Sequence, residues 1–83
     1  MAANKVILYC KPFCHYCIEA KQYLDKHHIS YEEKDVIASK DFFNEMKEKS
    51  GQDMSPVMDW NGEILSDFDV DELEAFLREK KAL

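Results

Sequence analysis

The apolar run Val6-Ile7-Leu8-Tyr9 leads straight into CKPFCHYC, residues 10–17, which holds all three cysteines of the chain. A short apolar, partly β-branched run reads as a buried strand. A secretory signal needs an apolar stretch of roughly 7–15 residues, and a membrane span about 20. This run is too short for either, so the expectation is a soluble, cytoplasmic chain. In that compartment closely spaced cysteines serve catalysis or metal binding more often than stapling. The cysteine cluster therefore sits where a central strand ends, and the rest of the chain must say what it does there.

Downstream of the cluster the pattern alternates between helix and strand. Residues 4–9 are expected as the first strand. Residues 15–28 read as a helix, with Ala20, Tyr23, Leu24 and His27 at 3–4 spacing. Residues 29–36 partly alternate through Ile29, Tyr31 and Val36, and read as a second strand. Ser39 is a candidate N-cap for a helix over 40–50, with Phe42, Phe43 and Met46 inward and Gly51 past its end. Residues 56–60 read as a strand with Met58 and Trp60 on one face. Asn61-Gly62 is a strong two-residue hairpin signal, and Glu63-Ile64-Leu65 returns. Asp69 then caps a last helix, Glu72 stands at the capping-box position, and Val70, Leu73, Phe76 and Leu77 form the inner stripe.

The order β-α-β-α-β-β-α predicts an α/β fold. A right-handed βαβ unit supplies two parallel strands and a hairpin supplies an antiparallel pair. The result is a four-stranded mixed sheet flanked by three helices, in one domain over residues 1–83. With 83 residues the core is small. The formal charge is −6, and eight acidic residues lie between Asp59 and Glu79 against one arginine. Such a surface argues against nucleic-acid and membrane partners. It serves solubility, or it steers a basic partner.

Three chemistries compete for the cysteines. C-x3-C-x2-C resembles the cluster motif of radical S-adenosylmethionine enzymes, but those need a far larger barrel. A structural zinc needs four ligands, normally in two separated pairs. No cysteine follows Cys17, and His27 and His28 lie too far along the chain, so no metal site is expected. The third reading is a redox dithiol. At a helix N-terminus the first cysteine of C-x-x-C meets free N–H groups and the positive end of the helix dipole, which favour thiolate. Lys11 and His15 add positive charge. Cys14 is thus the expected nucleophile. Cys17, one helical turn on, is placed to resolve a mixed disulfide.

The segments Lys11-x-x-Cys14-x-Tyr16-Cys17, Met54-Ser55-Pro56 and Phe68-Asp69 together resemble the glutaredoxins of the thioredoxin-fold superfamily, over essentially the whole chain. The resemblance implies a thiol–disulfide oxidoreductase with no permanently bound cofactor and with glutathione as co-substrate. Its reduction potential would fall between about −180 and −270 mV. It implies a cis bond before Pro56. It also implies a glutathione groove in which Lys11 meets the glycine carboxylate, Tyr16 walls the sulfur, the Ser55 backbone before Pro56 pairs with the tripeptide, and Phe68 and Asp69 hold the γ-glutamyl end. Disulfide-containing proteins are the implied partners of a monomer. Each of these residues has a plainer role open to it: Lys11 in a solvated loop, Phe68 in the core, Asp69 as a helix cap.

Four features depart from the family pattern. His15 replaces the usual proline and is expected to tune activity by making the disulfide more oxidising. Ser55 replaces valine. Ser66-Asp67 replaces a glycine pair and crowds the groove with an added negative charge. Cys10 is an extra thiol, either a small buried hydrophobe or a disulfide partner for Cys14. The alternatives that stay open are recycling by thioredoxin reductase (for example to serve ribonucleotide reductase), a cluster-bridged dimer with an iron–sulfur centre, and a soft-metal chaperone.

Overall fold

The computed structural model describes residues 5–83; the expected strand start at Asn4 lies outside them. The order is β1 (Val6–Cys10), α1 (His15–Lys26), β2 (Glu32–Asp35), α2 (Lys40–Ser50), β3 (Val57–Trp60), β4 (Glu63–Ser66) and α3 (Val70–Glu79). The four strands form one sheet in the order β2-β1-β3-β4. β1 is parallel to β2 and antiparallel to β3, and β3 is antiparallel to β4. The mixed sheet and three helices are those expected from the sequence.

Strand parity sorts the core into two layers, because alternate side chains leave opposite faces of a sheet. Val6 and Leu8 share a face with Met58 and Trp60, packed against Ala20 and Leu24 of α1 and Leu73 and Leu77 of α3. Ile7 and Tyr9 point the other way, to Val57 and Met46, with Phe42 and Phe43 of α2 packed alongside. Helices α1 and α3 therefore cover one face and α2 the other. Cys10, two residues beyond Leu8, belongs to the α1 face.

β1 runs Val6–Cys10 where 4–9 was expected, β3 and β4 shift by one residue at one end, and two elements shorten more. α1 ends at Lys26, not at residue 28. His28 takes a left-handed conformation (φ 57°), and the N–H groups of His28 and Ile29 donate back to the carbonyls of Asp25 and Leu24. This Schellman closure stops the helix. The second strand is only Glu32–Asp35, not 29–36. Ile29 and Tyr31 pack on the core from the connection before it. An edge strand has one neighbour, so its paired length follows β1's register, and its charged residues guard the open edge. The hairpin is as expected, with Asn61 and Gly62 both at positive φ (52° and 96°). Ser39 caps α2, accepting from the Phe42 N–H at 3.3 Å.

On the α2 face a charged network surrounds Tyr9. The Tyr9 hydroxyl donates to Glu45, Lys34 bonds Glu45 at 2.9 Å, and Lys49 reaches Asp59 at 2.7 Å. The Tyr9 hydrogen bond and the Lys34 ammonium hold the Glu45 carboxyl down to about 2. A depressed carboxyl stabilises the fold above its unfolded value and loses that contribution as pH falls through the folded one. Glu45 is about one-third exposed, so the contribution is discounted to about 1 kcal/mol. Glu45→Gln is expected to cost about that much at neutral pH. It should also flatten the loss of stability between about pH 4.5 and pH 2, as read by urea unfolding at stepped pH.

Candidate active site

The end of β1 delivers the chain into a four-residue loop, and Cys14 is the N-cap of α1. Its backbone is extended and its carbonyl accepts the first helical N–H, from Ile18, at 2.9 Å. No side chain caps this helix, and its first turn carries no acidic residue. Free N–H groups and the positive dipole end therefore face the Cys14 sulfur. Cys14 is half-buried, whereas Cys10 and Cys17 are fully buried. The arrangement leaves Cys14 as the sulfur an external disulfide can reach, with Cys17 behind it.

The Lys11 N–H reaches the Cys17 sulfur at 3.4 Å. The Cys17 thiol is drawn down against its burial by its neighbours, first Cys10, then the Lys11 N–H, Cys14 and Ser55. Ser55 comes from the turn before β3, where the Ser55–Pro56 peptide is cis. Both residues are buried, and the Pro56 carbonyl accepts from the Asp67 N–H at 2.9 Å. This bond ties the cis-proline turn to the loop before α3. Three segments far apart in sequence thus meet at the dithiol.

Tyr16, Phe68 and Asp69 line one groove of about 190 Å³, together with Asp67 and Glu72. Phe68 is also a core residue, only 2% exposed. Asp69 caps α3, accepting from the Glu72 N–H at 2.9 Å. The structure thus gives both residues their plainer roles without removing them from the groove. Lys11 is half-buried in the loop entering α1. His15 is largely exposed and its Nε2 lies 3.2 Å from Glu19, one turn along the helix. A larger depression of about 620 Å³, lined by residues of the α1–β2 connection such as His28 and Tyr31, contains no thiol. Among the described residues no group of three or more His, Cys, Asp or Glu side chains is placed to hold a metal. No helix among them is long and apolar enough to cross a membrane.

The family model for glutaredoxin matches residues 6–65, a span that runs from β1 into β4 and includes both C-x-x-C cysteines and the cis-proline turn. The chain belongs to the glutaredoxin family. A glutaredoxin from Brucella melitensis is 31% identical, with TM-score 0.69, covering 93% of this chain and 82% of that one. The thioredoxin-like protein BC3987 is 26% identical, with TM-score 0.79, covering 88% of this chain and all of that one. Buckwheat glutaredoxin, crystallised with glutathione, shares the fold at 20% identity and TM-score 0.74, covering 95% of this chain and 73% of that one. No curated protein sequence matches significantly. Glutaredoxins are thiol–disulfide oxidoreductases, and this chain is one.

Sequence reasoning missed three features of this glutaredoxin site. The influence of Cys10 and that of Ser55 on the Cys17 thiol depend on tertiary placement. The left-handed backbone of Asp67 (φ 52°) was signalled only by the displaced glycine pair. An L-residue there is strained by about 1–2 kcal/mol, less for Asp than for bulkier side chains. Asp67→Val is expected to lower stability by about 1–2 kcal/mol, because a β-branched residue fits this region worst. Asp67→Gly should stay within about 0.5–1 kcal/mol of wild type, since relief of strain is offset by added unfolded-state freedom. The midpoints of chemical denaturation check both values.

Proposed function

We propose that this glutaredoxin reduces protein disulfides and glutathione mixed disulfides through Cys14 and Cys17, with glutathione as the recycling thiol. The observation that carries the reading is the placement of half-buried Cys14 at the N-cap of α1, over fully buried Cys17 one turn on. The Cys14 thiolate attacks one sulfur of the substrate disulfide, forming a mixed disulfide and expelling the other sulfur as thiolate. The Cys17 sulfur then attacks Cys14. The Cys14–Cys17 bond forms, and the second substrate sulfur leaves as thiolate. Two external thiols return the protein to its reduced state. A cytoplasmic location belongs to the same reading, because that compartment keeps dithiols reduced.

Glutathione binding is supported by the groove that gathers Tyr16, next in sequence to Cys17, with Phe68 and Asp69. In this reading Asp69 accepts from the γ-glutamyl ammonium, Lys11 pairs with the glycine carboxylate, and the Ser55 backbone next to Pro56 receives the tripeptide as a short strand. Protein substrates are supported by exposed apolar side chains in the bracketing loops. Phe13 and Met54 are 73% and 54% exposed, in the segments that carry Cys14 and Pro56. His15 tunes the disulfide potential in this scheme, and Glu19 lies 3.2 Å from its Nε2.

One observation favours a second reductant. Three of the residues lining the groove, Asp67, Asp69 and Glu72, carry carboxylates, and the others, Tyr16 and Phe68, carry no charge. Glutathione brings two carboxylates of its own, and like charges close together repel. Thioredoxin reductase, a protein donor, does not need that groove. The test is to oxidise the protein to the Cys14–Cys17 disulfide and to offer reduced glutathione, or thioredoxin reductase with NADPH, in parallel. Reduction by glutathione is expected, and Asp67→Gly should speed it several-fold by removing one carboxylate and one side chain. Reduction by the reductase alone, with Asp67→Gly unresponsive to glutathione, would overturn the glutathione assignment.

A further inference from the structure

The Lys11 main chain touches both cysteines of the dithiol. Its carbonyl accepts the Cys14 N–H at 3.2 Å, closing a turn with Pro12 at the second position, where a fixed φ is suited. Its N–H donates to the Cys17 sulfur at 3.4 Å. The peptide that carries this N–H is held from behind. Its carbonyl, that of Cys10, accepts the Val36 N–H at 3.1 Å, where the β1–β2 pairing runs out at Cys10 and Asp35. This peptide is trans, so its carbonyl and its N–H point opposite ways, the one to β2 and the other away from it. On that other side β3 begins at Val57, opposite Tyr9, so no residue of β3 stands opposite Lys11. The Cys17 sulfur takes the place of a ladder acceptor.

We propose that the Cys10–Lys11 peptide stabilises charge on Cys17: its N–H, fixed by the β1–β2 ladder, holds the Cys17 thiolate and so favours the reduced dithiol. Lys11 then serves the dithiol through its main chain, whatever its ammonium does. This deepens the dithiol reading above and rests on it. A donor built into a paired strand needs no reorganisation when charge appears at its acceptor, which is how an oxyanion hole works. The Val36 N–H polarises the peptide further, since hydrogen bonds in a chain strengthen one another.

The electron bookkeeping shows where the bond acts. During recycling an external thiolate attacks Cys14 and forms a mixed disulfide. The electron pair of the Cys14–Cys17 bond passes to Cys17, which leaves as a thiolate facing the Lys11 N–H. A second external thiolate attacks the external sulfur, and Cys14 leaves as a thiolate. In the opposite direction the Cys17 pair forms the bond to Cys14, and the N–H is left facing a neutral sulfur. Lys11 is one of several groups acting on this thiol. The Cys17 thiol is drawn down first by Cys10, against its burial, and then by the Lys11 N–H, ahead of Cys14 and Ser55.

The experiment uses chemical ligation to replace Lys11 by the α-hydroxy acid with the same side chain, so that the Cys10–Lys11 amide becomes an ester. The N–H is lost and the ammonium stays. An ester carbonyl is also a weaker acceptor for the Val36 N–H. A second ester, at Val36, removes that bond while keeping the Lys11 N–H, and is the control. Each protein is equilibrated with reduced and oxidised glutathione at about pH 8, an equilibrium that does not depend on the groove. The Cys14–Cys17 disulfide is counted by mass spectrometry after acid quenching and alkylation. Loss of a hydrogen bond to a charged sulfur should make the Lys11 ester's disulfide about tenfold harder to reduce, a potential about 30 mV lower. The Val36 ester should fall well short of that shift. Equal shifts in the two esters, or none in the Lys11 ester, would overturn the proposal. A wild-type protein that forms no Cys14–Cys17 disulfide at any ratio would instead sink the dithiol reading itself. A second readout needs no ester. In isotope-labelled Cys14→Ser protein the Lys11 amide proton should move downfield in NMR spectra as Cys17 ionises, and the movement should vanish when Cys17→Ser is added. A Lys11 amide proton that ignores Cys17 would overturn the proposal whatever the esters do.

Discussion

β1 is hydrogen-bonded on both edges, and all five of its residues are buried. A strand so enclosed has little freedom in register, because a one-residue slip would exchange its two faces. Its position fixes three other things. Val6 and Leu8 set the floor for α1 and α3, and Ile7 and Tyr9 set the floor for α2. Its C-terminal end fixes where α1 can begin. Cys14 becomes the N-cap because the loop from Cys10 is short and α1 must lie back over the face that holds Leu8 and Ala20.

That placement joins fold and chemistry. One sulfur stands at a helix N-terminus with access to solvent, and its partner lies beneath, fully buried and bonded by the Lys11 N–H. The Pro56 carbonyl and the Asp67 N–H tie the groove-lining loop to the same floor. Asp67 and Asp69 flank Phe68, so one short segment carries a strained residue, a core anchor and a helix cap. The acidic character of the groove follows from that segment and from Glu72 in the first turn of α3, where acids also suit the helix dipole.

Much of this was legible in the residues. Val6-Ile7-Leu8-Tyr9 has no plausible state but a buried strand, Asn61-Gly62 has the positive φ values its composition invites, and Ser39 and Asp69 cap the helices they precede. The C-x-x-C spacing placed the reactive pair on one helical turn. β2 was harder, because Ile29 and Tyr31 look like strand residues but pack from a connection, while the strand itself is Glu-Glu-Lys-Asp. Its length depends on a partner far away in sequence. Cys10 was harder still. Its contact with Glu33 needs the parallel register of β1 and β2, and the carboxylate it meets is held by Lys21 of the docked α1. Neither is written in local pattern.

The division of labour between the two sulfurs is tested most directly by trapping. Cys17→Ser and Cys14→Ser variants are each exposed to glutathione disulfide, and the site of any adduct is read by peptide mass spectrometry. The account predicts a stable glutathione adduct on Cys14 in Cys17→Ser and almost none in Cys14→Ser, whose remaining thiols are buried. An adduct forming as fast on Cys17 or Cys10 in Cys14→Ser would contradict it.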